Sequence, residues 1–212
     1  MHSGALVFVI DDDALLRTGV VRLLQSADYA SEDFGSATAF LDRPPYPGPC
    51  CVIVDVKMPE LNGVAFQEAL IKRRREEQLI FLTGHGNIPI CAQVMKAGAV
   101  DFLRKPFQSD QLLNAVERAL TRSAEQRRLA AERNDARRLL ELLTPREFEV
   151  MQLVIIGMLN KQIAAELGTA ERTVKLHRHR VMRKLQTVSV PDLVRLVQRA
   201  EVPPPAIHST KV

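Results

Sequence analysis

The first half of the chain alternates between short apolar runs and longer segments with helical spacing. The short runs are rich in β-branched residues and lie at residues 5–10, 50–54, 79–82 and 99–103, with a weaker run at 30–34. Apolar residues recur with a helical period at residues 15–24, 64–71 and 90–97. Because buried strands that alternate with helices are typical of βαβ units, we predict a doubly wound α/β fold with a five-stranded parallel sheet.

The second half has a helical apolar pattern up to residue 200. Ser109 is a predicted helix N-cap, and the pattern then continues to residue 140 without Gly or Pro, which predicts a long charged helix that connects two domains. Thr144, Pro145 and Glu147 have the spacing of a capping box with Pro at the first helical position, so we expect a new helical domain to begin there. After residue 200 the sequence has no periodicity, and we expect the tail to be disordered.

Short helices are predicted in this last domain. They span residues 147–156, 160–167 and 171–185, and Gly157 and Gly168 lie at the breaks between them. Short helices joined by tight turns that contain Gly are typical of a helix-turn-helix. The sequence therefore predicts an all-α helix-turn-helix domain after the α/β domain and its linker helix.

Composition and charge narrow the class of protein. The 212 residues are 46% hydrophobic and 25% charged, without an apolar run near the roughly 18 residues of a membrane-spanning helix and without a secretory leader, so we expect a cytoplasmic protein. Residues 1–120 contain 12 Lys and Arg against 15 Asp and Glu, whereas residues 121–212 contain 17 against 10. The basic second part favours an anionic polymer as partner, although such charge is more often only a solvated surface.

The three cysteines fit neither a disulfide framework nor a metal site, and we interpret them as core thiols.

Three carboxylates follow predicted strands. Asp11 and Asp12 come after the first strand and Asp55 after the third, and the carboxyl ends of parallel strands share one edge of the sheet. A single Asp at such a place is usually a solvated turn former, but three in register repel each other unless a divalent cation neutralises them. We predict Mg²⁺ at this edge, bound by Asp12, Asp55 and the backbone carbonyl of Lys57, with Asp11 as a ligand directly or through water.

Two further polar residues are expected at the same edge. Thr83 follows the fourth strand and Lys105 the fifth. This set suits formation of an acyl phosphate, in which the Asp55 carboxylate attacks a phosphoryl donor, Mg²⁺ and Lys105 offset negative charge, and Thr83 donates a hydrogen bond to the transferred group. Lys105 precedes Pro106, and a cis bond there would direct the lysine inward.

Four ordered segments resemble the motifs of receiver domains of two-component systems. They are IDDD (10–13), VDVKMPELNG (54–63), LTGHG (82–86) and GAVDFLRKPF (98–107). The resemblance covers residues 4–123 and implies a histidine kinase as phosphate donor, transfer catalysed by the receiver itself, and slow hydrolysis of the phosphate, which Lys57 and His85 would modulate.

The same resemblance implies a switch. Phe102, which by its position alone is a core aromatic, is implied to rotate inward when Thr83 moves toward the phosphate. The surface formed by the fourth helix and fifth strand would then pair with a second subunit, and interactions of roughly 1 to 3 kcal/mol suffice for such a two-state change.

The predicted helix at residues 171–185 has one apolar face. Helical spacing places on this inward face Val174, His177, Val181 and Leu185, with His177 as a half-buried packing residue. By elimination, the outward face contains Lys175, Leu176, His179 and Arg183, with Arg172, Arg178 and Arg180 on its flanks. Such a face suits the major groove of DNA, where a basic side chain can reach guanine and Leu176 a thymine methyl group. The flanks, together with Thr173 and Lys161, are expected to bind phosphates.

Residues 143–185 resemble the LuxR-type DNA-binding domain of NarL/FixJ-type regulators through LTPRE, NKQIAAELG and TVKLHRHRVMRKL. The resemblance implies as base readers Lys175, Leu176 and His179, and as backbone contacts Asn160, Lys161 and Thr173. The motifs TGHG and KAGAVDF place the chain nearest the FixJ branch, which mostly activates transcription with RNA polymerase, so we expect an activator, with repression at some promoters as the alternative.

The predicted organisation is a receiver domain at 4–123, a helical linker at 124–140, a helix-turn-helix domain at 141–202 and a disordered tail at 203–212. Two other classes share parts of this pattern. A Mg²⁺-dependent phosphatase could use Asp55 as its nucleophile, but the chain lacks a substrate-binding cap insertion; a nucleoid-type DNA binder would not need the intact acidic set. We therefore predict a transcriptional regulator rather than an enzyme. The long linker leaves open whether the receiver covers Lys175 and its neighbours or only dimerises the protein.

Overall fold

Five parallel strands form one sheet in the order β2-β1-β3-β4-β5. The computed structural model describes residues 4–84 and 88–203. The weak run at residues 30–34 is confirmed as an edge strand, β2, with partly exposed residues. The strands are β1 Leu6–Ile10, β2 Ser31–Phe34, β3 Cys50–Asp55, β4 Gln78–Thr83 and β5 Asp101–Arg104.

Helices cover both faces of this sheet, and a separate hydrophobic cluster lies on each. One cluster contains Phe8, Phe40 and Phe66, and the other contains Val9 and Leu112. This is the doubly wound arrangement that the alternating pattern predicted. The helices that cover the sheet are α1 Ala14–Ser26, α2 Ala37–Leu41, α3 Gly63–Lys72, α4 Ile88–Lys96 and α5 Ser109–Glu141.

Helix α5 is continuous over 33 residues, in agreement with the absence of Gly and Pro from its sequence. Ser109 is its first residue, so the prediction that Ser109 is the N-cap was one position off. The chain divides into two compact units between Arg127 and Arg128, within α5. The limits predicted for the two domains and the linker remain predictions.

The second unit is helical. The capping box at its start is confirmed, because the Thr144 hydroxyl accepts from the backbone N–H of Glu147 while the Glu147 carboxylate accepts from the backbone N–H of Thr144. Val150, Val174 and Leu193 are fully buried in its core. Its helices are α6 Pro145–Ile155, α7 Asn160–Glu166, α8 Glu171–Lys184 and α9 Val190–Arg199.

No helix in the described ranges is long and apolar enough to cross a membrane. Two features of the sequence analysis lie outside these ranges: His85, and the tail beyond Pro203.

Candidate functional site

The carboxyl ends of the strands bring three of the predicted pocket residues together. Asp11 follows β1 directly, Asp55 is the last residue of β3, and Lys105 follows β5. Lys105 Nζ donates to Asp11 Oδ2 at 2.7 Å and to Asp55 Oδ1 at 2.6 Å. Because the Asp11 and Asp55 residues are only 1% and 5% exposed, one ammonium ion compensates two buried carboxylates, and the pocket retains excess negative charge.

Backbone N–H groups hold the remaining carboxylate oxygens. Lys57 N donates to Asp55 Oδ2 at 2.7 Å, and Asp13 N donates to Asp11 Oδ1 at 2.9 Å. The backbone N–H of Lys105 donates to the carbonyl of Thr83 at 2.7 Å, which fixes the end of β5 beside β4. The Lys105–Pro106 peptide bond is cis. The two carboxylates are therefore held in place from several directions.

Burial has opposite consequences for the two kinds of charge in the pocket. Burial is the largest effect on Asp55 and raises its pKa above the ordinary value, although hydrogen bonding and attraction from Lys105 oppose it. Burial alone would lower the pKa of Lys105, but its hydrogen bonds to Asp11 and Asp55 and their negative charge outweigh this, so the pKa of Lys105 is raised. The raised pKa keeps the Lys105 side chain in its charged form beside the two carboxylates.

The side chains of the other predicted pocket residues differ in their burial. Thr83 is buried at the end of β4, Phe102 is half-buried in β5, and Asp12 and Lys57 are exposed. Across residues 4–84 and 88–203, the structure has no group of three His, Cys, Asp or Glu side chains arranged to hold a metal ion. The oxygen atoms that contact Lys105 nevertheless all belong to carboxylates or backbone carbonyls, and together they carry excess negative charge. Such oxygens are the ligands that Mg²⁺ prefers. The individual magnesium ligands remain a prediction.

Sequence reasoning missed Arg17 and Asp33 beside the pocket. Arg17 Nε donates to Asp33 Oδ2 at 2.8 Å, and Arg17 Nη1 donates to the backbone carbonyl of Asp11 at 2.7 Å. An arginine on a helix is usually solvated. The acceptors of Arg17 are instead the backbone carbonyl of Asp11, which follows β1, and the carboxylate of Asp33 in β2. No periodicity in the sequence indicated these contacts.

Helix α8 presents a basic surface in the second unit. The inward face is as predicted, since Val174, Val181 and Leu185 are at most 1% exposed and His177 is half-buried. Leu176 is 48% exposed. The other exposed members of the predicted DNA surface are Lys161, Arg172, Lys175, His179, Arg180 and Arg183, whereas Asn160, Thr173 and Arg178 are half-buried.

Two members of this surface make contacts within the protein. Arg178 Nη1 donates to Asn160 Oδ1 at 3.2 Å, which links α8 to the first residue of α7. Lys175 Nζ lies 3.3 Å from Glu171 Oε1, but both side chains are exposed, and exposed pairs of this kind contribute at most about 1 kcal/mol. Lys175 can therefore leave its weak contact with Glu171 for an anion or another hydrogen-bond acceptor from outside the protein.

The last turn of α8 is fixed by Lys184. Its Nζ donates to Glu147 Oε2 at 2.6 Å and to the carbonyl of Leu142 at 3.0 Å. Burial alone would raise the pKa of Glu147, but hydrogen bonds from Lys184 and Thr144 lower it to about 2. Lys184 is thus a structural residue, in contrast to the exposed cations earlier in the helix.

Comparison with known proteins agrees with the division of the chain into two compact units. Residues 7–117 match the family model of the response regulator receiver domain, and residues 141–197 match that of bacterial regulatory proteins, luxR family.

Relatives match over most of the chain. Nodulation protein W of Bradyrhizobium diazoefficiens is 41% identical over 194 residues, which is 92% of this chain and 86% of the relative. Transcriptional regulatory protein FixJ of the same organism is 40% identical over 204 residues, 94% of this chain and 98% of the relative.

Solved structures also match over nearly the whole chain. A low-resolution structure of response regulator StyR has a TM-score of 0.83 and 42% identity, covering 92% of this chain and 98% of that one. Full-length FixJ from B. japonicum has a TM-score of 0.55 and 37% identity, covering 92% and 97%. The predicted fold class is confirmed.

Proposed function

The chain belongs to the two-component response regulators that combine a receiver domain with a LuxR-type helix-turn-helix and regulate transcription, and from this premise we propose that phosphorylation of Asp55 controls binding of α8 to promoter DNA. Regulators of this family receive their signal from a histidine kinase and act on promoters. The observation that carries the proposal is the pair of contacts from Lys105 Nζ to Asp11 and Asp55, at 2.7 and 2.6 Å.

In the proposed reaction, an oxygen of Asp55 forms a bond with phosphorus while the bond between phosphorus and the donor nitrogen of the kinase histidine breaks. Lys105, already hydrogen-bonded to Asp55, offsets charge on the phosphoryl oxygens, and the backbone N–H of Lys57 holds the second carboxylate oxygen. Asp12, Asp55 and the carbonyl of Lys57, with Asp11 directly or through water, would hold Mg²⁺, which would supply further positive charge to stabilise the transferred phosphoryl group.

The response to phosphorylation is proposed to begin at the ends of β4 and β5. Thr83 donates a hydrogen bond to the new phosphoryl group. Phe102, which is half-buried on the neighbouring strand β5 and pairs there with Phe81, turns inward. The surface of α4 and β5 then pairs with the same surface of a second subunit. A homodimer presents two α8 helices to DNA, and we propose that it activates transcription with RNA polymerase.

Helix α8 is proposed to enter the major groove. Lys175, Leu176 and His179 would read bases because they are exposed on the face opposite the buried Val174 and Val181. The proposed phosphate contacts are Asn160, Lys161, Arg172, Thr173, Arg178, Arg180 and Arg183.

The first test uses Asp55→Asn, which keeps the shape of the side chain but removes the nucleophilic carboxylate. Incubated with acetyl phosphate and Mg²⁺, the wild-type protein should gain one phosphoryl group by intact mass and become a dimer by light scattering. Asp55→Asn should do neither. Asp42→Asn, at an exposed carboxylate after α2, is the matched control and should behave as wild type. Full incorporation in Asp55→Asn would reject Asp55 as the acceptor.

A further inference from the structure

The Arg17 side chain, 17% exposed, joins two segments of the first unit to the start of α1. Besides its bonds to Asp33 and to the Asp11 carbonyl, its own backbone N–H donates to the carbonyl of Asp13 at 3.0 Å. Arg17 thus contacts the turn at Asp11–Asp13 through both its side chain and its backbone.

The contact with the Asp11 carbonyl fixes one particular peptide group. The Asp11 carbonyl and the Asp12 N–H belong to the same planar unit, so holding the oxygen fixes the direction in which the chain enters Asp12. The Asp11 carboxylate is held separately, by Asp13 N and Lys105 Nζ. In the described part of the chain, Asp12 makes no side-chain hydrogen bond and is exposed. Its carboxylate is therefore placed by the backbone alone.

Charge supports the same role. Arg17 is paired with Asp33 at 2.8 Å, so the guanidinium group holds the turn without adding an uncompensated positive charge beside a pocket that is to accept a divalent cation. The pair thereby provides rigidity with little electrostatic opposition to metal binding.

We propose that Arg17, oriented by Asp33, is a positioning residue for Mg²⁺: it holds the Asp11–Asp12 peptide so that the Asp12 carboxylate is presented to the ion bound by Asp11 and Asp55. This inference rests on the proposed function, because it concerns the metal used for phosphorylation of Asp55. Arg17 contacts neither the phosphoryl group nor the metal.

The test measures magnesium binding apart from phosphorylation. In Arg17→Met, titration calorimetry without a phosphate donor should show Mg²⁺ affinity lower by about 10-fold, the lower limit for loss of a residue that orients a metal ligand. The Mg²⁺ concentration for half-maximal phosphorylation by acetyl phosphate should rise by the same factor, while the rate at saturating Mg²⁺ stays within about twofold of wild type. Arg22→Met, at an exposed arginine of the same helix, should leave both quantities unchanged.

Arg17→Lys is the second variant, and it decides the matter if thermal unfolding shows that Arg17→Met does not fold. It keeps the positive charge beside Asp33 but lacks the two separate nitrogens that bond Asp33 and the Asp11 carbonyl, so Mg²⁺ affinity should again fall. Unchanged affinity in the folded variants, or a lower saturating rate with unchanged half-saturation, would overturn the inference. If the wild-type protein accepts no phosphate, the proposed function fails, and calorimetry still decides the role of Arg17.

Discussion

The thiols of Cys50 and Cys51 have different surroundings from that of Cys91. Both lie in β3 and are at most 1% exposed, whereas Cys91 is half-buried on α4. The interpretation of all three cysteines as core thiols was therefore wrong for Cys91. Burial, followed by the negative charge of Glu77, raises the pKa of Cys50 to about 11, and burial followed by the neighbouring Cys50 raises the pKa of Cys51. Because the thiolate is the reactive form, both thiols of β3 should be inert in the folded protein.

We predict that iodoacetamide at pH 8 alkylates Cys91 at least about 10-fold faster than either cysteine of β3, because thiol reactivity follows exposure and thiolate content. Peptide mass spectrometry over a time course measures the three rates. In concentrated urea the rates should converge, which serves as the control. Equal rates in the folded protein would contradict the interpretation of Cys50 and Cys51 as core thiols.

The pocket shows which contacts between residues can be predicted from the sequence. Asp11, Asp55 and Lys105 each follow or end a strand of one parallel sheet, so topology alone predicted that they meet. The same rule placed Asp12 at the correct edge, but it does not give the direction of a side chain, and Asp12 is exposed. Arg17 could not be predicted, because its acceptor is a backbone carbonyl whose direction depends on the folded turn.

At the scale of helices, the contact between Glu147 on α6 and Lys184 on α8 fixes two elements that are distant in sequence. Glu147 also completes the capping box with Thr144, so its carboxylate accepts from both a backbone N–H and an ammonium group. Both acceptor roles require the ionised carboxylate for full strength. The stability of the second unit should therefore depend on the charge of Glu147.

We predict that Glu147→Gln lowers the free energy of unfolding of the second unit by about 2 kcal/mol at pH 7, the typical value of hydrogen bonds to a charged group. Hydrogen exchange of amides in α6 and α8 measures this loss. Glu149→Gln is the matched control, since its partner Arg146 and Glu149 itself are partly exposed at the surface, and it should cost at most about 1 kcal/mol. Equal losses in the two variants would contradict the role of the buried contact.

The pH dependence of the same contact follows from the lowered pKa of Glu147. In the folded unit this pKa is about 2, against an ordinary value of 4.5. The contribution of Glu147 to stability is therefore fully present above pH 4.5 and is lost as the pH falls through about 2. Glu147→Gln should lack this part of the acid dependence, whereas Glu149→Gln should retain it.

The predicted elements included most of the helices but not α2 and α9. The inward face of α8 was predicted because Val174, Val181 and Leu185 recur with a helical period. Helix α2 has five residues, too few to show a period. Helix α9 had a start signal, since Ser189 accepts from the backbone N–H of Asp192 and a proline occupies its first turn, and this capping pattern could have identified it.

At the scale of the whole molecule, charge is divided between the two halves of the chain. The first 120 residues are net acidic, and the remainder is net basic. The division agrees with the proposed function, because a pocket that is to bind a metal ion and accept a phosphoryl group requires carboxylates, whereas a surface for DNA requires cations. This part of the organisation was visible in the sequence. The continuity of α5 across the boundary between the units was indicated only by the absence of helix breakers.

The charge division leads to a prediction about how the intact protein binds DNA. Lys161, proposed to contact a phosphate, and Lys175, proposed to read a base, are both exposed, yet their loss should have different consequences. Lys161→Ala should weaken binding to all sequences and reduce the slope of log affinity against log salt by about 0.9 per protomer, the value for one phosphate contact. Lys175→Ala should instead reduce the preference for the target site over other DNA by about 1 to 3 kcal/mol.

Fluorescence anisotropy over a range of salt concentrations, with target and scrambled duplexes and acetyl phosphate present, measures both quantities on the full chain. Lys72→Ala, at an exposed lysine of α3 in the acidic first unit, removes the same charge far from the proposed DNA surface in sequence, and should change neither slope nor preference. If all three variants reduced the salt slope equally, net charge rather than the surface of α8 would govern binding. Equal loss of preference in Lys161→Ala and Lys175→Ala would contradict the division into phosphate and base contacts.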